Sequence, residues 1–572
     1  MFFHRLAVVR GFVLAVLLAA TLAAFAQAPK AMPANAYKDS PEWWKHAVVY
    51  EVYPRSFADS NNDGMGDLPG ITAHLDYLQQ LGVDAIWMTP MFPSPQVDFG
   101  YDVSDYRAVD PQYGTLEDFD RLVQEADKRG IKVILDFVVN HSSDQHAWFK
   151  ASRESKTNPY RNYYVWRDGR GPGQPPNNWT SGFGGSSWKY DERTGQYYYH
   201  YFYAEQPDLN WRNPKVEQEM FDTMRWWFKR GVYGFRLDAV DCLFEDSALE
   251  DNPAIGGVDA YGMPKQLHVH DHSIPEVHAE LQKMRAVVDE YKGRVLIGET
   301  WTSTPAELAE YYGPHNNELQ LPMYFNFTTV NKLDAMAFRE KIEAVEANPV
   351  GGWPVYVLSN HDIRRQVNRY APSDADKDKV AKLLAGMYLT LRGSAIMYYG
   401  EELGMQNNDP TRREDVKDVI GQKGWPEEKG RDGERTPMQW SAAANAGFNA
   451  GAQTWLPVGV DYKTRNVEAE SAEAGSVLNW YRQLIALRRT MAPLAEGDYH
   501  SLETGNPQLL AYRRTSGGRS VLVVLNFSGT QQTVALDSLA KGRPGVLASE
   551  GAELNGAKVR MDGYGVLIAR ME

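Results

Sequence analysis

The chain reads as an α/β protein built on a parallel sheet, either a (β/α)8 barrel or a doubly wound sheet, followed by an all-β terminal region. Three observations carry this reading. Beyond Pro41, short continuous apolar runs alternate with helical patterns, as strands buried on both faces alternate with their covering helices. Eight such runs occur before the last long helical pattern. From about Ala495 the helical period gives way to short alternating segments.

The elements follow in order. Arg5 and Arg10 precede an apolar run, Gly11 to Ala26, that closes on Ala24-Phe25-Ala26. A basic start, a short apolar stretch and small residues at a cleavage point describe a secretory signal over residues 1–26. The run is shorter than the ~20 residues of a spanning helix; the rival reading is an uncleaved anchor. Residues 27–40 read as a tether. The strand candidates are Val48–Tyr53, Ala85–Met88, Lys132–Val138, Gly234–Leu237, Arg294–Gly298, Leu321–Phe325, Val355–Ser359 and Ala395–Tyr399. Helix candidates between them include Thr72–Leu81, Leu116–Arg129, Val216–Arg230 and Pro275–Tyr291. Residues 141–212 break the rhythm with Gly, Pro, Asn and many aromatics, and are too long for a βα loop. They read as an inserted domain, leaving 41–140 and 213–494 as the main domain. A helix near Ser476–Thr490 precedes the terminal domain, 495–572, with strands at Gln508–Tyr512, Ser520–Phe527 and Gln532–Leu536.

Composition excludes several classes. The 572 residues carry 60 Lys plus Arg against 74 Asp plus Glu, a net charge of −14, which argues against nucleic-acid binding. The only cysteine, Cys242, forms no intramolecular disulfide and reads as a small core residue, so the exported fold relies on its core. The aromatic content, 12%, is high and is concentrated partly in residues 141–212.

Polar residues gather where the strand candidates end. Lys132–Val138 contains Asp136 and runs into Asn140-His141; Gly234–Leu237 contains Arg236 and runs into Asp238; Arg294–Gly298 ends at Glu299; Val355–Ser359 runs into Asn360-His361-Asp362. In a barrel these C-terminal ends share one face. A lone Asp after a strand is a turn or cap, but three carboxylates with Arg and His at several strand ends are expensive to bury without use. Paired carboxylates suit glycoside hydrolysis, in which one ionised group attacks and one protonated group donates. Like charges push one proton affinity up, and an Arg beside the nucleophile keeps that group ionised.

These segments resemble the α-amylase family of glycoside hydrolases, and within it the exo-acting α-glucosidase and oligo-1,6-glucosidase branch. The motifs are Asp136–His141 (DFVVNH), Gln206–Asn210 (QPDLN), Gly234–Val240 (GFRLDAV), Ile297–Thr300 (IGET), Ser359–Asp362 (SNHD) and Arg435–Trp440 (RTPMQW), in a likeness running from Trp44 to the C-terminus. The resemblance implies a (β/α)8 TIM barrel with an inserted domain after strand 3 and a C-terminal antiparallel β-sandwich. It implies Asp238 as nucleophile, Glu299 as general acid/base and Asp362 as transition-state stabiliser, with Asp98, Tyr101, His141, Arg236, His361 and Arg435 around the terminal glucose. It also implies retention through a β-glucosyl-enzyme, with carboxyl groups roughly 5 Å apart. Glu401–Glu434 is expected as a lid bringing Arg435 over the site. Phe99 departs from the Asn that many relatives have there.

Asp59-Ser60-Asn61-Asn62-Asp63-Gly64-Met65-Gly66-Asp67 places oxygen donors at alternate positions around a glycine, a loop able to wrap a hard cation. Gly70 stands where an EF-hand needs its bidentate Glu, which excludes that class. The loop resembles the branch's single-calcium loop, with Asp59, Asn61, Asp63, the Met65 carbonyl and Asp67 as ligands to one structural Ca2+. Ala239, after the nucleophile, goes with α-1,4 cleavage in similar enzymes, where Val goes with α-1,6. The expected substrates are maltose and short α-glucosides, with transglucosylation open. Alternatives are oligo-1,6-glucosidase, trehalose synthase, and a non-catalytic membrane-anchored transporter heavy chain, a type that often lacks the carboxylates present here. The expected partner is a small α-glucoside, with no nucleic acid, no stable membrane insertion after signal cleavage, and a monomer or weak oligomer exported to the periplasm or medium. His268, His270 and His272 read as a loop before the next helix, not as a metal site.

The exported protein is expected to begin at Gln27; an intact mass that starts at Met1 refutes the cleavage.

Overall fold

The computed structural model describes residues 32–348, 352–536, 539 and 542–572; the signal and residues 27–31 of the tether lie outside them. Eight strands form the central sheet: β1 (Val48–Val52), β2 (Ala85–Met88), β3 (Lys132–Val138), β4 (Gly234–Asp238), β5 (Val295–Gly298), β6 (Leu321–Pro322), β7 (Val355–Tyr356) and β8 (Ser394–Tyr398). Successive strands from β1 to β6 pair in parallel, β7 pairs with β8, and β8 pairs with β1. A single parallel bridge between Tyr324 and Tyr356 joins the β6 and β7 sides. The ring therefore closes, and the barrel, not the doubly wound sheet, is the fold.

The period of two sorts each strand into two packing environments. Val49, Trp87, Ile134, Val295, Ile297, Leu321, Val355 and Ile396 form one apolar cluster inside the ring, floored by Trp43 and Trp44. Their neighbours Val48, Tyr50, Ile86, Val133, Leu135, Phe235 and Leu296 join the larger cluster shared with the helices. The inward column continues upward in polar residues. Glu51 lies two beyond Val49, Asp136 two beyond Ile134, Arg236 and Asp238 two and four beyond Gly234, and Glu299 two beyond Ile297. Strand alternation alone thus delivers a charged layer onto an apolar floor.

Some element bounds differ from the sequence reading. The helix expected at Thr72–Leu81 begins at Leu68, because Asp67 caps it by accepting the Gly70 N–H at 2.6 Å, and it is split at His74, whose φ of −105° and ψ of 9° leave the helical region. β6 and β7 are two residues each, since a 3-10 turn takes over at Phe325.

Between β3 and β4 the chain forms a short helix, Ala147–Ser152, and a three-stranded antiparallel sheet with Gln196–Tyr199 between Trp166–Arg167 and Trp188–Asp191. Its aromatics serve first as its own core: Val165, Trp179, Trp188, Tyr197 and Tyr199 pack together. The bridge His141–Asp208 ties this segment back to the end of β3. The C-terminal strands form one six-stranded antiparallel sheet with bulges in Pro544–Asn555. Leu509, Ala511, Leu522, Val524, Val559 and Leu567 fill one face, while Leu510, Tyr512, Val523, Val566 and Ile568 pack into the barrel-side cluster.

β4 enters beside β5 at Gly234, where an added Cβ would stand 2.4 Å from the Val295 carbonyl oxygen. Gly234→Ala is expected to destabilise the barrel by about 1–3 kcal/mol through overpacking, read as a lowered melting temperature; an unchanged melt would show that β4 and β5 separate freely.

Candidate active site

The inward ends of β3, β4 and β5 converge on one guanidinium. Arg236, fully buried, sends Nη1 to Asp238 Oδ1 at 2.7 Å and to Asp136 Oδ1 at 3.0 Å, while Nη2 stands 2.9 Å from Glu299 Oε2. Two further donors orient Glu299. The Ala239 backbone N–H donates to Oε2 at 2.9 Å and the Trp301 indole N–H to Oε1 at 3.0 Å. Ala239 can do so because it sits in the left-handed region, φ 44° and ψ 44°, where the chain turns sharply out of β4. Burial pushes the Asp238 carboxyl up, Arg236 pulls it back, and the nearby Glu299 adds to the rise. Three carboxylates around one cation cannot all ionise cheaply, so this cluster retains a proton.

A second cluster faces it from β7 and the segment after β8. Asp362 Oδ1 accepts from Arg431 Nη1 and Arg435 Nη2, each at 2.8 Å, and Oδ2 lies 2.9 Å from His361 Nε2. Against burial, which raises it, His361, Arg431 and Arg435 hold the Asp362 carboxyl well below the usual range. His361 is also gripped at Nδ1 by Glu51 at 2.6 Å and stacks on Tyr101 with ring centroids 5.4 Å apart. Burial alone would lower its pKa, but Asp362 and Glu51 push it up to about 9. His141 is the opposite case: burial without a carboxylate partner pushes it down to about 3, so it is a neutral imidazole.

These clusters bound a cavity of about 410 Å³. Of the residues picked out from sequence, Asp98, Tyr101, His141, Asp238, Glu299 and Asp362 line it. Arg236, His361 and Arg435 stand behind, bonded to residues that do. The cation on the cavity wall is Arg431, which the sequence reading missed. It binds Asp98, Asp362 and Asp418 at 2.8 Å each and so ties the Asp98 and Asp362 sides of the wall together. The Glu401–Glu434 segment supplies this wall, with Ile420 and Arg431. Trp301, stacked on Phe325 at 4.4 Å, and Phe183 and Phe202 line the rest. Glu51, the other residue missed, is the sole acid in an otherwise apolar strand.

The Asp59–Asp67 loop lies apart from the cavity, on the connection after β1. Its side chains fold back in successive turns: Asp59 Oδ1 accepts the Asn61 N–H at 3.1 Å, Asn61 Oδ1 that of Asp63 at 2.9 Å, and Asp63 Oδ1 that of Met65 at 2.8 Å. Asp67 Oδ2 accepts from Ser60 N at 3.0 Å. The donor set is all hard oxygen, which suits Ca2+. Among the described residues the three carboxylates are not a group with oxygens within 4.8 Å of one another, so a bound cation would draw them inward.

Comparison with known proteins gives one consistent result. Residues 51–497 match the family described as "Alpha amylase, catalytic domain", and residues 509–568 match "Alpha-amylase SusG C-terminal domain". The chain is 40% identical over 543 residues to a "Probable alpha-glucosidase" of Rhizobium meliloti (strain 1021), covering 93% of this chain and 97% of that protein. It is 40% identical over 521 residues to an "Oligo-1,6-glucosidase" of Parageobacillus thermoglucosidasius, covering 85% and 90% respectively. It superposes on the crystal structure of "alpha-glucosyl transfer enzyme, XgtA" with a TM-score of 0.86 at 41% identity, over 93% of this chain and 99% of that one.

The raised pKa of His361 has a stability signature. The charged imidazole contributes fully below its unfolded pKa of about 6.5, and the contribution is lost as pH rises through about 9. The destabilisation caused by His361→Asn is therefore expected to be largest near pH 6 and to shrink toward pH 9, read by melting temperature; a pH-independent difference would mean that the ring is neutral.

Proposed function

The chain belongs to the α-amylase family of glycoside hydrolases, an enzyme family acting on α-glucosides, and we propose that it is a retaining, exo-acting α-glucosidase of maltose and short oligosaccharides. The observation that carries this is the placing of Asp238 and Glu299 on adjacent nitrogens of Arg236, at a cavity that Arg431 also lines with Asp98 and Asp362 in its grip. We read that wall as the end that receives one terminal glucose, so that the cut falls after one sugar.

Asp238 is the nucleophile. Its carboxylate attacks the anomeric carbon and forms a β-glucosyl ester, while Glu299 gives its proton to the departing glycosidic oxygen. Glu299 then takes a proton from water, which displaces the ester at the anomeric carbon and regenerates the α-anomer. A sugar hydroxyl can take the place of that water, giving transglucosylation. Arg236 draws Asp238 toward its ionised form against the rise that burial imposes, and holds Glu299 within reach of the same sugar. Asp362 and Asp98, held by Arg431, accept hydrogen bonds from glucose hydroxyls that tighten as the ring flattens. Neutral His141 lines the same pocket and offers a donor without adding charge.

A second reading, oligo-1,6-glucosidase, fits the same catalytic geometry and is the activity named for the Parageobacillus thermoglucosidasius relative. Ala239 beside the scissile bond favours α-1,4. We also assign one structural Ca2+ to Asp59, Asn61, Asp63, the Met65 carbonyl and Asp67, where it would fasten the first βα loop, and a cleaved export signal to residues 1–26.

Asp238→Asn and Glu299→Gln are each expected to lower kcat about 10²–10⁴-fold or more, with the fold intact by circular dichroism; retained activity in Asp238→Asn overturns the assignment. Initial rates on maltose, isomaltose, sucrose and trehalose are expected to rank maltose first, and an isomaltose preference transfers the chain to the second reading. Chelation is expected to lower the melting temperature of the parent protein but not of Asp63→Ala; equal responses remove Ca2+ from the loop.

A further inference from the structure

Three chemically different ligand groups meet at the cavity. Asp241, Cys242 and His272 each offer one ligand atom, all within 4.8 Å of one another, and all three side chains line the cavity. We propose that they form a site for a borderline-soft divalent transition metal of the Zn2+ class, whose occupancy blocks the leaving-sugar side of the cavity.

The geometry is close to what such an ion needs. Zn2+ bonds of about 2.0–2.3 Å in a tetrahedron place ligand atoms roughly 3.3–3.8 Å apart. Cys242 Sγ lies 3.7 Å from Asp241 Oδ1, and His272 Nε2 lies 3.2 Å from Asp241 Oδ2. The backbone prepares the arrangement. Asp241 and Cys242 share the 3-10 turn Val240–Cys242 that follows the left-handed Ala239. Ser273, itself at φ 52°, donates its N–H to the Asp241 carbonyl at 2.7 Å and so pins His272 against that turn. Ser273 Oγ also lies 3.1 Å from His272 Nδ1, which leaves Nε2 as the ring nitrogen facing the cavity.

Sulfur, imidazole nitrogen and one carboxylate oxygen select Zn2+, Co2+ or Cd2+ over Mg2+ or Ca2+, which prefer all-oxygen shells. Three protein ligands leave the fourth position open toward the cavity. The site adjoins the proposed acid/base, since Asp241 Oδ2 accepts the Trp301 backbone N–H at 3.0 Å and the same residue's indole N–H holds Glu299. Binding requires Cys242 to lose its proton, so metal affinity rises with pH.

The single cysteine makes the test unambiguous. Titrating the mature protein with Co2+ is expected to produce a thiolate-to-cobalt charge-transfer band saturating at one equivalent, and that band can arise only from Cys242. Zn2+ is expected to abolish the band by displacing Co2+ and, in rate assays, to raise the apparent KM with kcat unchanged. Cys242→Ser is expected to lose the band, and His272→Gln to weaken Co2+ binding at least tenfold. No band in the parent protein up to millimolar Co2+ overturns the proposal and leaves His272 and Asp241 as a polar contact only; a band of equal affinity in His272→Gln overturns the ligand set. The absorption readout needs neither variant nor turnover, so it stands independently of the assigned substrate.

Discussion

One buried guanidinium governs this molecule. Arg236 has no solvent exposure, and its positive charge is shared by Asp136, Asp238 and Glu299 from three neighbouring strands. A buried ion group of this kind is poor evidence for stability, since desolvation offsets much of the attraction. Its effect is on registration. The contacts form only if β3, β4 and β5 are aligned so that Asp136 lies opposite Arg236 and Arg236 opposite Ile297, and the observed pairing has that alignment. A slip by one residue would turn each of these side chains to the helix side. Catalytic geometry and barrel register are therefore one constraint.

The facing cluster has a different character. There Asp362 is outnumbered by His361, Arg431 and Arg435, and it is the ionised member at any ordinary pH. The two halves of the cavity thus differ: on the Arg236 side one cation serves three carboxylates, while around Asp362 three cations converge on one carboxylate and keep it ionised. Glu51 completes the arrangement from the opposite strand by holding His361 charged.

Most of this was legible in the chain. Apolar runs and the polar residues that end them located the barrel strands within a few residues, because a strand buried on both faces leaves few alternatives at each position. Asp136, Arg236, Asp238 and Glu299 could be picked out because a charge on an inward column is costly. Arg431 was not legible, since it lies in an irregular segment with no period to mark an inward face and two of its partners, Asp98 and Asp362, come from distant places in the chain. Glu51 escaped for the reverse reason: it sits in a strand but mid-run, where a single acid reads as noise. The alternating imidazoles of His268, His270 and His272 read as a loop, yet each stands about 3 Å from a carboxylate, at Asp271, Asp246 and Asp241. Spacing in sequence could not reveal partners that arrive from another turn.

The left-handed backbone at Ala239 reaches beyond geometry. Alanine tolerates this conformation at modest strain, but a β-branched side chain there is a severe outlier. If linkage preference is tuned at this position by exchanging Ala for Val, the change that redirects the leaving sugar also strains the peptide whose N–H holds Glu299.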